Sequence, residues 1–168
     1  MTPLVVVMGV SGAGKSTVGQ AIAAGLGLPF ADADDFHPPA NIAKMSAGAP
    51  LVDADRWPWL DAIGAHLAAH RGQGCVVTCS ALKRAYRDRL RQLAPDLRLV
   101  FLHGDAATVA ARQAARQGHF MPASLVASQF ATLEAPGSDE GAIALDVGAD
   151  PATLATAAIA ALSPEIPV

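Results

Sequence analysis

A chain of 168 residues with 52% apolar and 16% charged side chains is long enough for one domain with its own core and too apolar to be disordered. Its net charge of −3 and pI of about 5.9 exclude the electrostatic footprint of a nucleic-acid binder. No run of 18 apolar residues is present, so no segment reads as a membrane-spanning helix.

In chain order, short β-rich runs alternate with helical patterns. "LVVVM" (4–8) is a continuous apolar run, as a strand covered on both faces requires. It has no basic segment before it and leads into a glycine loop, so it reads as a first strand and not a signal peptide. "TVGQAIAAGLG" (17–27) has helical spacing, and "LPFA" (28–31) is a short strand. "NIAKMSAG" (41–48) gives two helical turns. Residues 55–74 give a longer helix with Asp55 as N-cap and Pro58 in its first turn. "CVVTC" (75–79) is the next strand, followed by a basic helix over 82–93, which is either a solvated face or the neighbour of an anionic ligand. "LRLVFL" (97–102) is a strand, 105–118 a helix capped by Asp105 and stopped by Gly118, and 123–134 another helix. After the loop "APGSDEG" (135–141) come a strand at 142–147 and a helix at 150–162 with Pro151 near its first position. Five strands alternating with helices predict an α/β fold, one domain over 1–168 with a five-stranded parallel sheet covered on both faces.

The two cysteines, Cys75 and Cys79, are four residues apart on a strand, roughly 13 Å, too far for a disulfide. No second cysteine pair is available to complete a zinc site. They read as two buried thiols of a cytoplasmic chain.

"GVSGAGKST" (9–17) fits the phosphate-binding pattern G-x-x-x-x-G-K-[ST], with a strand before it and a helix after it. Gly9, Val10, Ser11, Gly12, Ala13 and Gly14 form a loop whose N–H groups turn inward, and the helix that begins beyond it adds its positive end. Lys15 reaches the β- and γ-phosphates of ATP, the Ser16 hydroxyl is a Mg²⁺ ligand, and Thr17 completes the motif. The N-K-x-D of a GTPase and the L-S-G-G-Q of a transporter ATPase are missing, which leaves the small P-loop kinases of the nucleoside monophosphate and shikimate kinase type. Arg112 and Arg116 lie one turn apart in "ARQAARQGHFMP", on a predicted mobile lid at about 112–135 that closes over the triphosphate. Asp32 and Asp34 follow the short second strand, at the carboxyl end of the sheet where ligands bind. On an extended segment their i, i+2 spacing points both side chains the same way, one to orient water on Mg²⁺ and the other to take a proton from a substrate hydroxyl.

The blocks "GVSGAGKST", "DADDFHPPANIAKMSAGAPLVDADRWPWL", "CSALKRAYRDRLR", "FLHGD", "RQGHFM" and "SQFATLEAP" occur in this order, and together they resemble the gluconokinases of the shikimate-kinase-like P-loop group. The resemblance runs from about residue 4 to 160. It implies a cytoplasmic, Mg²⁺-dependent homodimer that converts ATP and D-gluconate to ADP and 6-phosphogluconate. Carried over by position, Lys15, Asp34 and Arg116 are catalytic, with Asp34 as general base, while Asp32 joins Ser16 near the metal. Arg56, in "DADRWPW", matches the carboxylate-binding arginine of related kinases, and a guanidinium fork suits the acid end of gluconate. His37, Ser80, Lys83 and Arg87 complete the expected acceptor set, centred on residues 32–60. Relatives often carry glycine between the two aspartates and a basic residue after the first proline, where this chain has Ala33 and Pro39. Two rival readings are another small-molecule kinase of this fold, such as a shikimate kinase, and a non-catalytic ATP-binding regulator.

Overall fold

The computed structural model describes residues 2–114 and 123–163. Its strands are β1 (Leu4–Met8), β2 (Phe30–Asp32), β3 (Cys75–Thr78), β4 (Arg98–His103) and β5 (Ile143–Asp146). They form one sheet in the order β2-β3-β1-β4-β5, with every pairing parallel. The helices are α1 (Lys15–Leu26), α2 (Pro39–Ser46), α3 (Asp53–Ala69), α4 (Arg84–Leu93), α5 (Ala106–Ala114), α6 (Ala123–Thr132) and α7 (Pro151–Leu162). None of the described helices is long and apolar enough to cross a membrane.

Strand β1 shows why the sheet needs cover on both sides. Leu4, Val6 and Met8 face a core layer shared with Leu60, Ile63 and Leu67 of α3 and Tyr86 and Leu90 of α4. Val5 and Val7 face the opposite layer, with Val18 and Ile22 of α1 and Leu154, Ala155 and Ala158 of α7. The abundance of small residues is used where α1 meets α7. A Cβ at Gly25 would stand 2.4 Å from the Ile159 Cδ1, so the approach of the two helices depends on that glycine. Helix α7 starts as expected, with the Asp150 carboxylate accepting the Thr153 N–H at 2.9 Å and Pro151 at the first helical position.

Two local expectations are corrected. Helix α3 begins at Asp53, so Asp55 is its third residue and not its N-cap; the Asp55 carboxylate reaches back to accept the Val52 N–H at 2.9 Å. Pro58 therefore lies in the second turn, where it is tolerated because both it and Ala54, whose carbonyl loses a helical partner, are exposed. Second, Asp32 is the last residue of β2, and the chain then enters a 3₁₀ turn at Ala33–Phe36 instead of continuing extended. Asp32 itself causes this, because its Oδ1 accepts the Asp34 N–H at 2.9 Å and caps the turn.

Both cysteines are buried and unpaired. Burial pushes the Cys75 thiol up to about 11 and the Cys79 thiol up to about 12, so neither is a nucleophile at neutral pH.

Candidate active site

The carboxyl ends of β1, β2 and β3 converge on a cleft of about 1300 Å³. Strand β1 delivers the glycine loop. Gly9 is at φ +154°, and a Cβ there would stand 2.8 Å from the Leu102 carbonyl oxygen, so β4 leaves no room for a side chain. Gly14, at φ +94°, is the N-cap of α1 and supplies no side-chain acceptor, which leaves the first N–H groups of the helix for an anion. Val10 and Ala13 are buried and anchor the loop, Thr17 is exposed, and Ser11, Gly12, Lys15 and Ser16 line the cleft. The Lys15 ammonium donates to the carbonyls of Gly9 at 3.0 Å and Val10 at 3.1 Å, which holds it across the mouth of the loop. The Ser11 N–H donates to Oε1 of Gln129 on α6 at 2.6 Å.

Strand β2 and its 3₁₀ turn bring Asp32 and Asp34 into the same cleft. Burial, and then the charge of Asp32, raise the Asp34 carboxyl above its ordinary value, although His37 and Lys15 pull it the other way. Trp59 fixes the turn from below. Its indole N–H donates to the Ala33 carbonyl, between the two aspartates, at 2.7 Å. The His37 ring stacks on Trp59 with centroids 4.5 Å apart and planes 8° from parallel. Asn41, 2% exposed, donates from Nδ2 to the Asp55 carbonyl at 2.9 Å and lies 3.2 Å from His37 Nδ1. An amide NH₂ only donates, so Nδ1 is the acceptor and the imidazole proton sits on Nε2. Burial lowers the His37 pKa, which keeps the ring neutral.

At the acceptor end, Arg56, Ser80 and Lys83 line the cleft. Two residues that the sequence did not single out organise this end. The Tyr86 hydroxyl donates to Asp53 Oδ1 at 2.5 Å and accepts from Arg56 Nη1 at 3.3 Å. Lys83 Nζ lies 3.4 Å from the other Asp53 oxygen, and both cations stand within 6 Å of the Tyr86 ring centre. The Tyr86 hydrogen bond holds the Asp53 carboxyl below its usual range, with Lys83 and Arg56 adding to the effect.

Arg87 is a correction to the expected acceptor set. It is fully buried, and its guanidinium forks onto Glu140, with Nε at 2.8 Å from Oε1 and Nη2 at 3.1 Å from Oε2. Nη1 donates to the carbonyls of Ala81 at 2.9 Å and Leu82 at 3.3 Å. Arg87 therefore holds the loop that carries Ser80 and Lys83 and does not reach the cleft. Arg112 donates to the Ala149 carbonyl in the loop after β5. Arg116 lies outside the described residues, as does Gly118.

Of the residues missed by sequence reasoning, Asp53 and Tyr86 carry no local signal, because they meet across 33 positions of chain. Gln129 was within reach, since "SQFATLEAP" stood out as a block whose polar residues had no assigned role.

Residues 4–136 match the family model described as an AAA domain. The chain is 54% identical over 144 residues to the gluconokinase of Gluconobacter oxydans, an alignment that covers 82% of this chain and 79% of that protein. It is 45% identical over 137 residues to the thermosensitive gluconokinase of Escherichia coli, covering 80% and 73% respectively. The crystal structure of a gluconokinase from Sinorhizobium meliloti superposes with a TM-score of 0.87 at 53% identity, over 95% of this chain and 91% of that one. With the glycine loop, the paired aspartates and the cationic acceptor end in one cleft, the chain belongs to the gluconokinase family of P-loop kinases.

Proposed function

We propose that this chain transfers the γ-phosphoryl group of ATP to D-gluconate, giving 6-phosphogluconate and ADP. The observation that carries the reading is the order of groups in the cleft. Lys15 and Ser16 of the glycine loop, Asp34 and His37 of the turn after β2, and Arg56 and Lys83 all line one cleft, so the phosphate end and the cationic end share it with the Asp34 carboxylate. Arg56, Lys83 and Asp53 sum to one net positive charge, which suits the single carboxylate of gluconate. The stacked His37 presents an Nε2–H suited to a sugar hydroxyl.

In this reading Asp34 accepts the proton of the attacking hydroxyl, and its raised pKa makes it a stronger base than an ordinary aspartate. Lys15 and the N–H groups of the glycine loop hold the triphosphate, and Lys15 stays beside the charge that develops during transfer. The Ser16 hydroxyl and the Asp32 carboxylate are hard oxygen donors in the same cleft, a set that fits Mg²⁺. When bound, that ion neutralises charge on the β- and γ-phosphate oxygens. Arg112 and Arg116 are the proposed closing pair over the triphosphate, and the homodimer and cytoplasmic location remain part of the same proposal.

Gluconate-dependent ADP release, followed with ATP and Mg²⁺ and compared with shikimate, glucose and nucleoside monophosphates, tests the assignment. The expected outcome is a kcat/KM for gluconate at least a hundredfold above the others. Equal or higher values for any of them would overturn it, and ATP binding without acceptor-dependent turnover would favour a regulator.

A further inference from the structure

We propose that His66, His70 and Cys75 form a Zn²⁺ site with three protein ligands, at the end of the sheet opposite the phosphate-binding cleft. One ligand atom from each of the three lies within 4.8 Å of the other two. Around a tetrahedral zinc, nitrogen and sulfur ligands stand about 3.3–3.6 Å apart, as follows from bond lengths of about 2.0–2.3 Å. Metal binding therefore requires the ligand atoms to draw together by about 1 Å.

The local fold brings the three together. His66 and His70 are one turn apart near the C-terminal end of α3, with ring centres 4.3 Å apart. Cys75 is the first residue of β3, and a short rigid turn joins it to the helix. The N–H groups of Gln73 and Gly74 both donate to the His70 carbonyl, at 3.0 and 2.8 Å. Gly74 is at φ +84°, and a Cβ there would be within 3.0 Å of Leu28, Thr2 and Pro3.

The donor set is also oriented. His70 Nδ1 lies 2.8 Å from the His66 carbonyl oxygen. A carbonyl only accepts, so Nδ1 carries the proton and Nε2 keeps a lone pair, the arrangement by which metal-binding imidazoles are usually fixed. Both histidines are half-exposed while Cys75 is buried, so an ion enters from solvent and the sulfur closes the site from beneath. Cys75 binds as thiolate and releases its proton to solvent. Two imidazoles and one thiolate suit zinc, not magnesium, and leave the fourth position to water. Three residues of β3, about 10 Å, separate Cys75 from the part of the strand that reaches the cleft, so this ion is distinct from the catalytic metal. A metal here ties the end of α3 to the start of β3 and stabilises the fold without entering the reaction.

The test is titration of the chelator-treated, nucleotide-free full chain with Co²⁺, followed by competition with Zn²⁺. The expected result is one equivalent of cobalt, a thiolate-to-cobalt charge-transfer absorption, and its loss when Zn²⁺ is added. His70→Gln and His66→Gln should each weaken binding by at least about tenfold. Cys79→Ala should keep the absorption, and Cys75→Ser should abolish it. If Cys75→Ser does not fold, the two half-exposed histidine variants decide the matter. Zn²⁺ should also raise the Tm of the wild-type chain by several degrees and that of His70→Gln by less. No charge-transfer band in the wild type, a band lost with Cys79 but not Cys75, or one unaffected by both histidine changes would overturn the proposal.

Discussion

Arg87→Met removes a guanidinium from the interior while replacing its aliphatic stem with an unbranched apolar side chain. The Arg87 and Glu140 side chains are 0% and 1% exposed, so the lost interaction is screened by little solvent. Burial alone would push the Glu140 carboxyl up, but hydrogen bonds from Arg87, Arg91 and the Gly137 N–H bring it from 4.5 down to about 2. That difference corresponds to about 3 kcal/mol in favour of the ionised form. Arg91 Nη2 stays 2.8 Å from Glu140 Oε1, which moderates the loss, while the Ala81 and Leu82 carbonyls lose a donor, which adds to it. The expected destabilisation at pH 7 is about 3 kcal/mol, or a Tm lower by roughly 6–12 °C for a domain of this size. Because the folded carboxyl is depressed, the stabilisation is fully present above 4.5 and is lost as pH falls towards 2, so the wild type and variant should converge in acid. Thermal denaturation between pH 3 and 8, beside steady-state kinetics with gluconate, reads both roles. An unchanged Tm with a tenfold higher KM for gluconate would make Arg87 a substrate contact and refute the structural argument.

Asp34→Asn should lower kcat by about 10²–10⁴-fold with little change in KM for ATP. The acid limb of the wild-type pH–rate profile should lie above the ordinary aspartate value of 3.8, since burial and Asp32 raise the Asp34 pKa, and the variant should lack that limb. Arg56→Lys keeps the charge but loses the fork, so KM for gluconate should rise about tenfold while KM for ATP stays constant; equal effects on both would argue against a carboxylate contact. Trp59→Phe removes the indole donor to the Ala33 carbonyl and should cost about 1 kcal/mol in chemical denaturation. It should also lower kcat more than KM, because the turn that carries Asp34 is no longer held from below.

What the sequence made legible was what short-range patterns encode. The alternation of apolar strands with helices, the glycine loop and the Asp150–Pro151 helix start all depend on neighbours within a few residues, and all five strands stand where the patterns put them to within two residues. Asp32 was placed correctly at the carboxyl end of the sheet, but the segment after it, which carries Asp34, turns instead of staying extended. The Asp32 carboxylate can cap its own chain two residues on, and that contact competes with extension. Arg87 misled for a different reason. A basic side chain after the third strand has the same local signature whether it faces an acceptor or a buried glutamate, and Glu140 lies 53 positions away. The Asp53–Tyr86 bond was invisible on the same ground.

The loop between β3 and α4 shows how such distant pairs shape the cleft. Ala81 is the one described non-glycine residue with positive φ, at +46°, a conformation that costs a residue with a Cβ on the order of 1–2 kcal/mol. It stands between Ser80 and Lys83, both lining the cleft. Glycine would relax the strain, but it would also free the loop. Alanine holds one conformation provided that something outweighs its cost, and the Arg87 guanidinium bonded to the Ala81 and Leu82 carbonyls does so from the buried side. Glu140 in turn fixes Arg87 and Arg91, and Glu134 caps α4 through the Arg84 N–H at 3.0 Å. The acidic segment after α6 therefore clamps α4 and its preceding loop, so the placement of Lys83 is set by carboxylates that do not line the cleft.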